Sequence, residues 1–308
     1  MNNSLASRDA FLGVVFALLA AVGFSAKAIL VKLAFIDGVD AVTLLALRMA
    51  FSVPFFLAVA IWTGRQQGEP LNSHDWLLVL GLGFVGYYLS SFLDFLGLQY
   101  VSAGLERMIL FLYPTMTVIL TALIYRRAIG IGTVAAMALS YAGIALVFLH
   151  DLGGHDMSIN RGGTVLLGGA LVFASTVSYA IYLVGAGHVI KRIGAMRFTA
   201  YAMVVASIVS LLQFAVTHPF NALLQPSRVY QLSIAMAILS TVLPVFMLSY
   251  AIRRIGSGNA SLIGSIGPVS TILMAYLLLH EAISPAQIAG SLLVLGGVLI
   301  VSLNSKRL

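Results

Sequence analysis

The chain contains no cysteine, which removes disulfide frameworks, thiol catalysis and thiolate metal sites. Charge is scarce as well: Asp, Glu, Lys and Arg make up 9% of the 308 residues, and tryptophan occurs twice. Apolar residues fill the space, at 60% of the chain with a mean hydropathy of +1.03. A soluble domain cannot bury that much apolar surface. The chain therefore reads as an all-α polytopic membrane protein whose first partner is a lipid bilayer. Its net charge of +7 does not describe a nucleic-acid surface. The basic residues stand as singles and pairs at the ends of apolar runs, where they orient helices in a membrane. The six histidines lie at helix ends and loops without metal-ligand spacing. No metal, cofactor or nucleic acid is expected, and no nucleophile–base pattern marks an enzyme.

Runs long enough to cross about 30 Å of hydrocarbon occur ten times, near 11–35, 39–62, 76–99, 102–125, 129–150, 162–188, 196–218, 229–252, 257–280 and 285–303. The first, with Arg8 ahead of it and Ala21-Val22-Gly23 inside it, has the look of a secretory signal. It continues past Lys27 to Phe35, however, and its removal would leave nine helices, so a retained helix is expected.

Residues 100–149 recur at 254–303 with a constant shift of 154 and twelve identities in fifty positions, among them Gly104/Gly258, Pro114/Pro268, Thr117/Thr271 and Gly143/Gly297. This implies an internal duplication, with one five-helix unit over 1–154 and a second over 155–308. Orientation follows from Lys and Arg. With the N-terminus in the cytoplasm, the inside receives Arg8, Arg65, Arg126, Arg127, Lys191, Arg192, Arg197, Arg253, Arg254, Lys306 and Arg307, and the outside only Arg161 and Arg228. Both termini are then cytoplasmic. Five helices per unit is an odd number, so the two units insert upside down relative to each other, an arrangement typical of carriers that alternate access around a central site.

These features resemble the EamA-type carriers of the drug/metabolite transporter superfamily. The resemblance rests on the five-plus-five pattern, on the repeated helix with Pro114 or Pro268 at its middle, and on the turn Leu279-His280-Glu281-Ala282-Ile283-Ser284. That turn leads into a last helix rich in glycine, with Gly290, Gly296 and Gly297. The first unit departs from it, since Arg126-Arg127 replaces His280-Glu281. Within the family the chain is most similar to bacterial inner-membrane exporters of aromatic and other neutral amino acids with broad specificity. That resemblance implies outward transport and a cavity built from helices 1, 3, 4, 6, 8 and 9. The alternative is efflux of drug-like or lipophilic cationic compounds. A monomer or a homodimer is compatible with either.

Gly81-Leu82-Gly83-Phe84-Val85-Gly86 spells a dinucleotide fingerprint, but it sits inside an apolar helix without a preceding strand. Its glycines instead permit close helix approach. The charges inside apolar runs carry more information, because each is costly unless paired or facing water. They are Lys27, Arg48, Asp94, Glu106 and Arg107, with Lys32 nearer the interface. At about 1.5 Å per residue, Lys27, Asp94 and Glu106 fall at one depth, roughly 5–10 Å outside the midplane. They would handle the ends of a zwitterion or a coupling proton, or close the outer half as a structural network.

Helical spacing groups Tyr87, Ser91 and Asp94 on the third helix, Glu106, Tyr113 and Thr117 on the fourth, and Ser175, Tyr179 and Tyr182 on the sixth. It also groups Phe246, Ser249 and Tyr250 on the eighth, and Ser257, Ser261 and Ser265 on the ninth. Together these offer rings and hydroxyls to an organic substrate with an apolar body, or helix-to-helix hydrogen bonds. Pro114 and Pro268 each remove a backbone hydrogen bond, giving a hinge or a fixed kink. The expected binding set is Lys27, Tyr87, Ser91, Asp94, Glu106, Tyr113, Ser175, Tyr179, Tyr182, Phe246, Ser261 and Ser265.

Overall fold

The computed structural model describes residues 2–65, 70–126, 128–153 and 162–305. All regular structure among these residues is helical. Eight helices are long and apolar enough to cross a membrane: α1 (Phe11–Ile36), α2 (Ala41–Arg65), α3 (Ser73–Leu98), α4 (Ala103–Tyr125), α5 (Ile131–Asp151), α6 (Thr164–Gly187), α7 (Ala195–Thr217) and α8 (Ser227–Gly256). Two shorter apolar helices follow, α9 (Gly267–Leu279) and α10 (Pro285–Val301).

Several boundaries differ from the apolar runs for identifiable reasons. Helix α3 starts three residues before its run because Asn72 and Asp75 form a reciprocal cap. The Asn72 side chain accepts from the Asp75 N–H at 2.8 Å, and the Asp75 carboxylate accepts from the Asn72 N–H at 2.8 Å, which satisfies two end donors. Helix α8 outlasts its run because Arg253 and Arg254 remain helical, Arg254 lying 4.2 Å over the Tyr250 ring. It stops at Gly256, whose φ of 79° an L side chain rarely adopts. Residues 257–264 then form a separate short helix, so the ninth apolar run is two pieces joined by a turn at 265–266.

Helix α4 is divided in the same way, into Ala103–Leu110 and Tyr113–Tyr125. At the divisions the Leu112 N–H donates to the Ile109 carbonyl at 3.1 Å and the Ile266 N–H to the Ile263 carbonyl at 3.2 Å. Pro114 and Pro268 each occupy the first turn of the helix that restarts there. A missing N–H costs nothing at that position, so each proline begins a helix and breaks none.

Other irregularities also recur 154 residues apart. Ser73–Gly83 passes into a π-helical Phe84–Leu89, and Ser227–Ala237 passes into a π-helical Ile238–Val242. Arg126 (φ 51°) and His280 (φ 55°) each close a helix in the left-handed region.

Helix α1 packs on α8, α2 on α7, α3 on α6, and α5 on α10. Cross-helix approach is closest where glycine stands. A Cβ on Gly143 would lie 2.6 Å from the Gly290 carbonyl oxygen, and one on Gly297 would lie 2.4 Å from that of Ala136. Between them the Ser140 hydroxyl faces the Val294 carbonyl at 3.5 Å. Residues 136, 140 and 143 thus meet 297, 294 and 290, an antiparallel crossing. The Gly81–Gly86 stretch is explained likewise. A Cβ on Gly86 would fall 2.3 Å from Tyr182, and one on Gly83 would fall 2.9 Å from the Ala202 carbonyl. These glycines seat α3 against α6 and α7.

Candidate functional site

Two groups of side chains meet in the interior of the bundle, one ionic and one aromatic. In the ionic group, Lys27 on α1 donates to Asp94 Oδ2 on α3 at 2.6 Å and stands 3.7 Å from Glu106 Oε1 on α4. Asp94 is 1% and Glu106 0% exposed. Asp94 Oδ1 and both Glu106 carboxylate oxygens have no hydrogen-bond partner among the described residues. Buried polar atoms are ordinarily paired, so this group retains unused acceptor capacity. Arg48 on α2, also buried, donates to the Ser91 hydroxyl at 3.0 Å and stacks 4.9 Å over the Phe95 ring. Ser91 is therefore engaged by Arg48. Arg107, next to Glu106 in sequence, lies against Gly267 at the start of α9.

In the aromatic group the Tyr87 and Tyr182 hydroxyls are 2.9 Å apart. Tyr182 stacks on Tyr179 at 5.5 Å, and Tyr113 meets Tyr179 edge-on at 5.5 Å. Tyr87, Tyr113 and Tyr179 are half-buried and Tyr182 is buried. Tyr87 lies within the π-helical stretch Phe84–Leu89. A wide π turn leaves backbone carbonyls short of partners, and hydroxyls from α6 satisfy those nearby. Ser178 donates to the Val85 carbonyl at 2.7 Å and Ser175 to the Ser90 carbonyl at 2.7 Å. Ser175 is fully buried in this contact, so it joins α3 to α6.

Phe246 stands slightly apart. It stacks with Phe56 at 6.3 Å and lines a small cleft with Val59, Met196, Thr199, Ala200, Val245 and Ser249. Thr199 also interacts with Tyr87 and Tyr182, linking the cleft to the tyrosines. Ser265 lies in the turn ahead of α9, while the Ser261 side chain lies outside the described residues.

The structure thus joins Lys27, Asp94 and Glu106 into one group, and Tyr87, Tyr113, Tyr179 and Tyr182 into another. Sequence reasoning did not include Arg107 or Thr199 in the binding set. Arg107 carried a signal, a charge within an apolar run, whereas a threonine on an apolar helix carries none. Glu281, in the turn ahead of α10, accepts from the Ala103 N–H at 3.3 Å, at the N-terminus of α4.

Comparison with known proteins gives a consistent result. The sequence profile of the EamA-like transporter family matches the chain twice, over residues 11–149 and 166–303. The uncharacterized transporter YcbK of Bacillus subtilis is 30% identical over 300 residues, covering 96% of this chain and 92% of that protein. A WAT1-related protein of Arabidopsis thaliana is 25% identical over 298 residues, covering 88% of this chain and 83% of its own length. One crystal structure superposes with a TM-score of 0.62 at 19% identity, over 96% of this chain and 98% of that one, a likeness of fold.

Proposed function

The chain belongs to the EamA-like transporter family, a family of carriers and not enzymes, and on that premise we propose that it exports amino acids across a bacterial inner membrane, aromatic and other bulky neutral ones among them. The observation that carries this reading is the juxtaposition of opposite charges with a tyrosine cluster. Lys27, Asp94, Glu106 and Arg107 offer both signs to a zwitterion, and Tyr87, Tyr113, Tyr179 and Tyr182 offer rings and hydroxyls to its side chain. A site built from rings and few fixed charges discriminates side chains weakly, in keeping with broad specificity.

The proposed mechanism is alternating access between two inverted five-helix units, 1–154 and 155–308, with ten spans and both termini cytoplasmic. Support comes from the double match to the family profile, the irregularities that recur 154 residues apart, and the antiparallel crossing of α5 and α10 about Ser140 and Val294. Inversion by a two-fold axis in the membrane plane maps that crossing onto itself. The divisions within α4 and ahead of α9 are the proposed hinges, with Pro114 and Pro268 holding the first turn beyond each.

The test is transport by purified protein in liposomes, with and without an imposed pH gradient, using labelled phenylalanine and methionine. Cells making the protein should release these amino acids faster than controls and tolerate toxic analogues better. Tyr179→Ala should slow release while the protein remains in the membrane, and Lys27→Ala should slow the release measured per molecule that remains there. Purified protein that moves no amino acid in liposomes, while cells making it hold less dye or drug, would favour the reading of drug-like or cationic efflux. Tags at either terminus that report from the outside would overturn the inverted arrangement.

A further inference from the structure

Lys27 and Asp94 already satisfy each other at 2.6 Å, which leaves the question of what meets a substrate carboxylate. Arg107 is the candidate that the structure supplies. Its Nε is buried without a hydrogen-bond partner, and the guanidinium forms no salt bridge or hydrogen bond with another described residue. It lies flat against Gly267: a Cβ there would stand 2.7 Å from Nη2 and 3.3 Å from Nε. The Ser25 hydroxyl is 3.3 Å from the same point and donates to the Gly267 carbonyl at 3.0 Å. Gly267 opens a helical stretch with no side-chain cap, Gly267–Met274, so its first-turn N–H groups add positive potential. Along α4, Arg107 lies between Glu106 of the ionic group and Tyr113 of the aromatic group.

Charge balance points the same way. Lys27, Arg48 and Arg107 outnumber Asp94 and Glu106 by one among the charges gathered here. An unpaired guanidinium in a membrane interior is costly, and a planar fork of donors matches a carboxylate in a way an ammonium does not. The surplus leaves one cation without a protein carboxylate of its own, open to the carboxylate end of a bound molecule.

We propose that Arg107 binds the carboxylate of the transported molecule, so that the substrate class is carboxylate-bearing and the bare amine is excluded. The Glu106 oxygens, which accept no hydrogen bond among the described residues, face the substrate's ammonium. This inference rests on the amino-acid reading given above.

The experiment compares counterflow of labelled phenylalanine and labelled phenethylamine, which lacks only the carboxylate, in liposomes holding wild type, Arg107→Gln, Arg107→Lys or Gly267→Ala. Wild type should favour phenylalanine, and Arg107→Gln should lower the phenylalanine-to-phenethylamine ratio by roughly tenfold or more, since a site built for a polar group is left unpaired without it. Arg107→Lys should recover part of that ratio. Gly267→Ala sets a methyl against Nη2 and should lower the ratio several-fold with Arg107 still present, which carries the test if Arg107→Gln fails to fold. A ratio unchanged in folded Arg107→Gln, or in Gly267→Ala when only that variant folds, overturns the Arg107 assignment and leaves amino-acid transport standing. Wild-type protein that moves phenethylamine alone, or neither compound, overturns amino-acid transport and the assignment together.

Discussion

The two halves of the chain share a backbone plan and differ in chemistry. Lys27, Arg48, Asp94, Glu106 and Arg107 occur in the first half. At the positions 154 residues further on stand Ile181, Ala202, Leu248, Ala260 and Ser261. Yet both halves carry a π-helical stretch in the same place, a divided helix ahead of a proline, and a left-handed residue closing it. Backbone irregularities are retained through constraints of packing and hydrogen bonding. Charges answer to the groups they pair with, and Lys27, Asp94 and Glu106 pair within the first half. The hydroxyls and rings are shared more evenly, since Tyr87 and Tyr113 come from the first half and Tyr179 and Tyr182 from the second.

Breaking the ionic group from one side is the harshest way to break this contrast. Lys27→Met alone removes the salt-bridge partner of Asp94 and Glu106, and Asp94→Asn alone leaves Lys27 with only the more distant Glu106. Each single change should destabilise the protein by about 3–5 kcal/mol, seen as lost yield and a lower melting temperature in detergent. The double change should recover part of that yield. Two silent single variants would mean that the pair holds nothing together.

A second test sharpens the contrast between packed and unpacked glycines. Gly86→Ala drives a methyl into Tyr182, and the overpacking should cost about 1–3 kcal/mol and disturb the Tyr87–Tyr182 contact. Gly81→Ala, with nothing within 4 Å of the new methyl, should be neutral or stabilise by up to about 1 kcal/mol. Equal melting temperatures for the two variants would contradict the close approach of α3 and α6.

Smaller effects are expected at the bundle ends. Arg228 at the start of α8 pairs with Asp37 beyond α1 at 3.1 Å, and Arg192 beyond α6 pairs with Asp75 at the start of α3. These pairs match to within one residue of the 154 offset, with acid and base exchanged. Asp37→Asn and Asp75→Asn should each lower stability by about 0–1 kcal/mol, the more so at low salt. Their effects on net transport should differ in direction-dependent assays if the pairs stand at opposite mouths, and identical effects would argue against that.

The mildest test concerns Asp40. Burial works against its charge, but hydrogen bonds from the Thr43 hydroxyl and N–H, from the Val42 N–H, and the nearby His218 hold its carboxyl below the usual range. A depressed value stabilises above the unfolded carboxyl range, near about 3.9, and that contribution is lost as pH falls through the folded value. Asp40→Ala should cost about 1 kcal/mol at neutral pH through the lost cap. The gap from wild type should close below roughly pH 4, as read from melting temperature against pH.

Much of this was legible in the sequence for physical reasons. A charge in hydrocarbon is too costly to be accidental, so Lys27, Asp94 and Glu106 identified themselves, and counting along helices brought them to one depth. The tyrosines were found by spacing alone. Arg107 was harder to assign because neighbours in a helix diverge by about 100°, so its adjacency to Glu106 does not say what it faces. Here the two side chains face different helices. Apolar length misjudged the start of α3, although Asn72 and Asp75 spell a capping pair, because a polar first turn adds nothing to hydropathy. The π-helical stretches had no signature at all; they depend on which carbonyls neighbouring hydroxyls can reach.

The crossing of α5 and α10 bears on how the protein is made. Ala136, Ser140 and Gly143 present backbone with little side chain over it, and the surface that covers them lies at 290–297. During synthesis α5 therefore enters the membrane roughly one hundred and fifty residues before its counterpart exists. The notch on α5 stays open to lipid until the last helix arrives. Closure of that notch is among the final events of folding, and a chain cut short before residue 290 offers the cell's membrane proteases an unfinished seam.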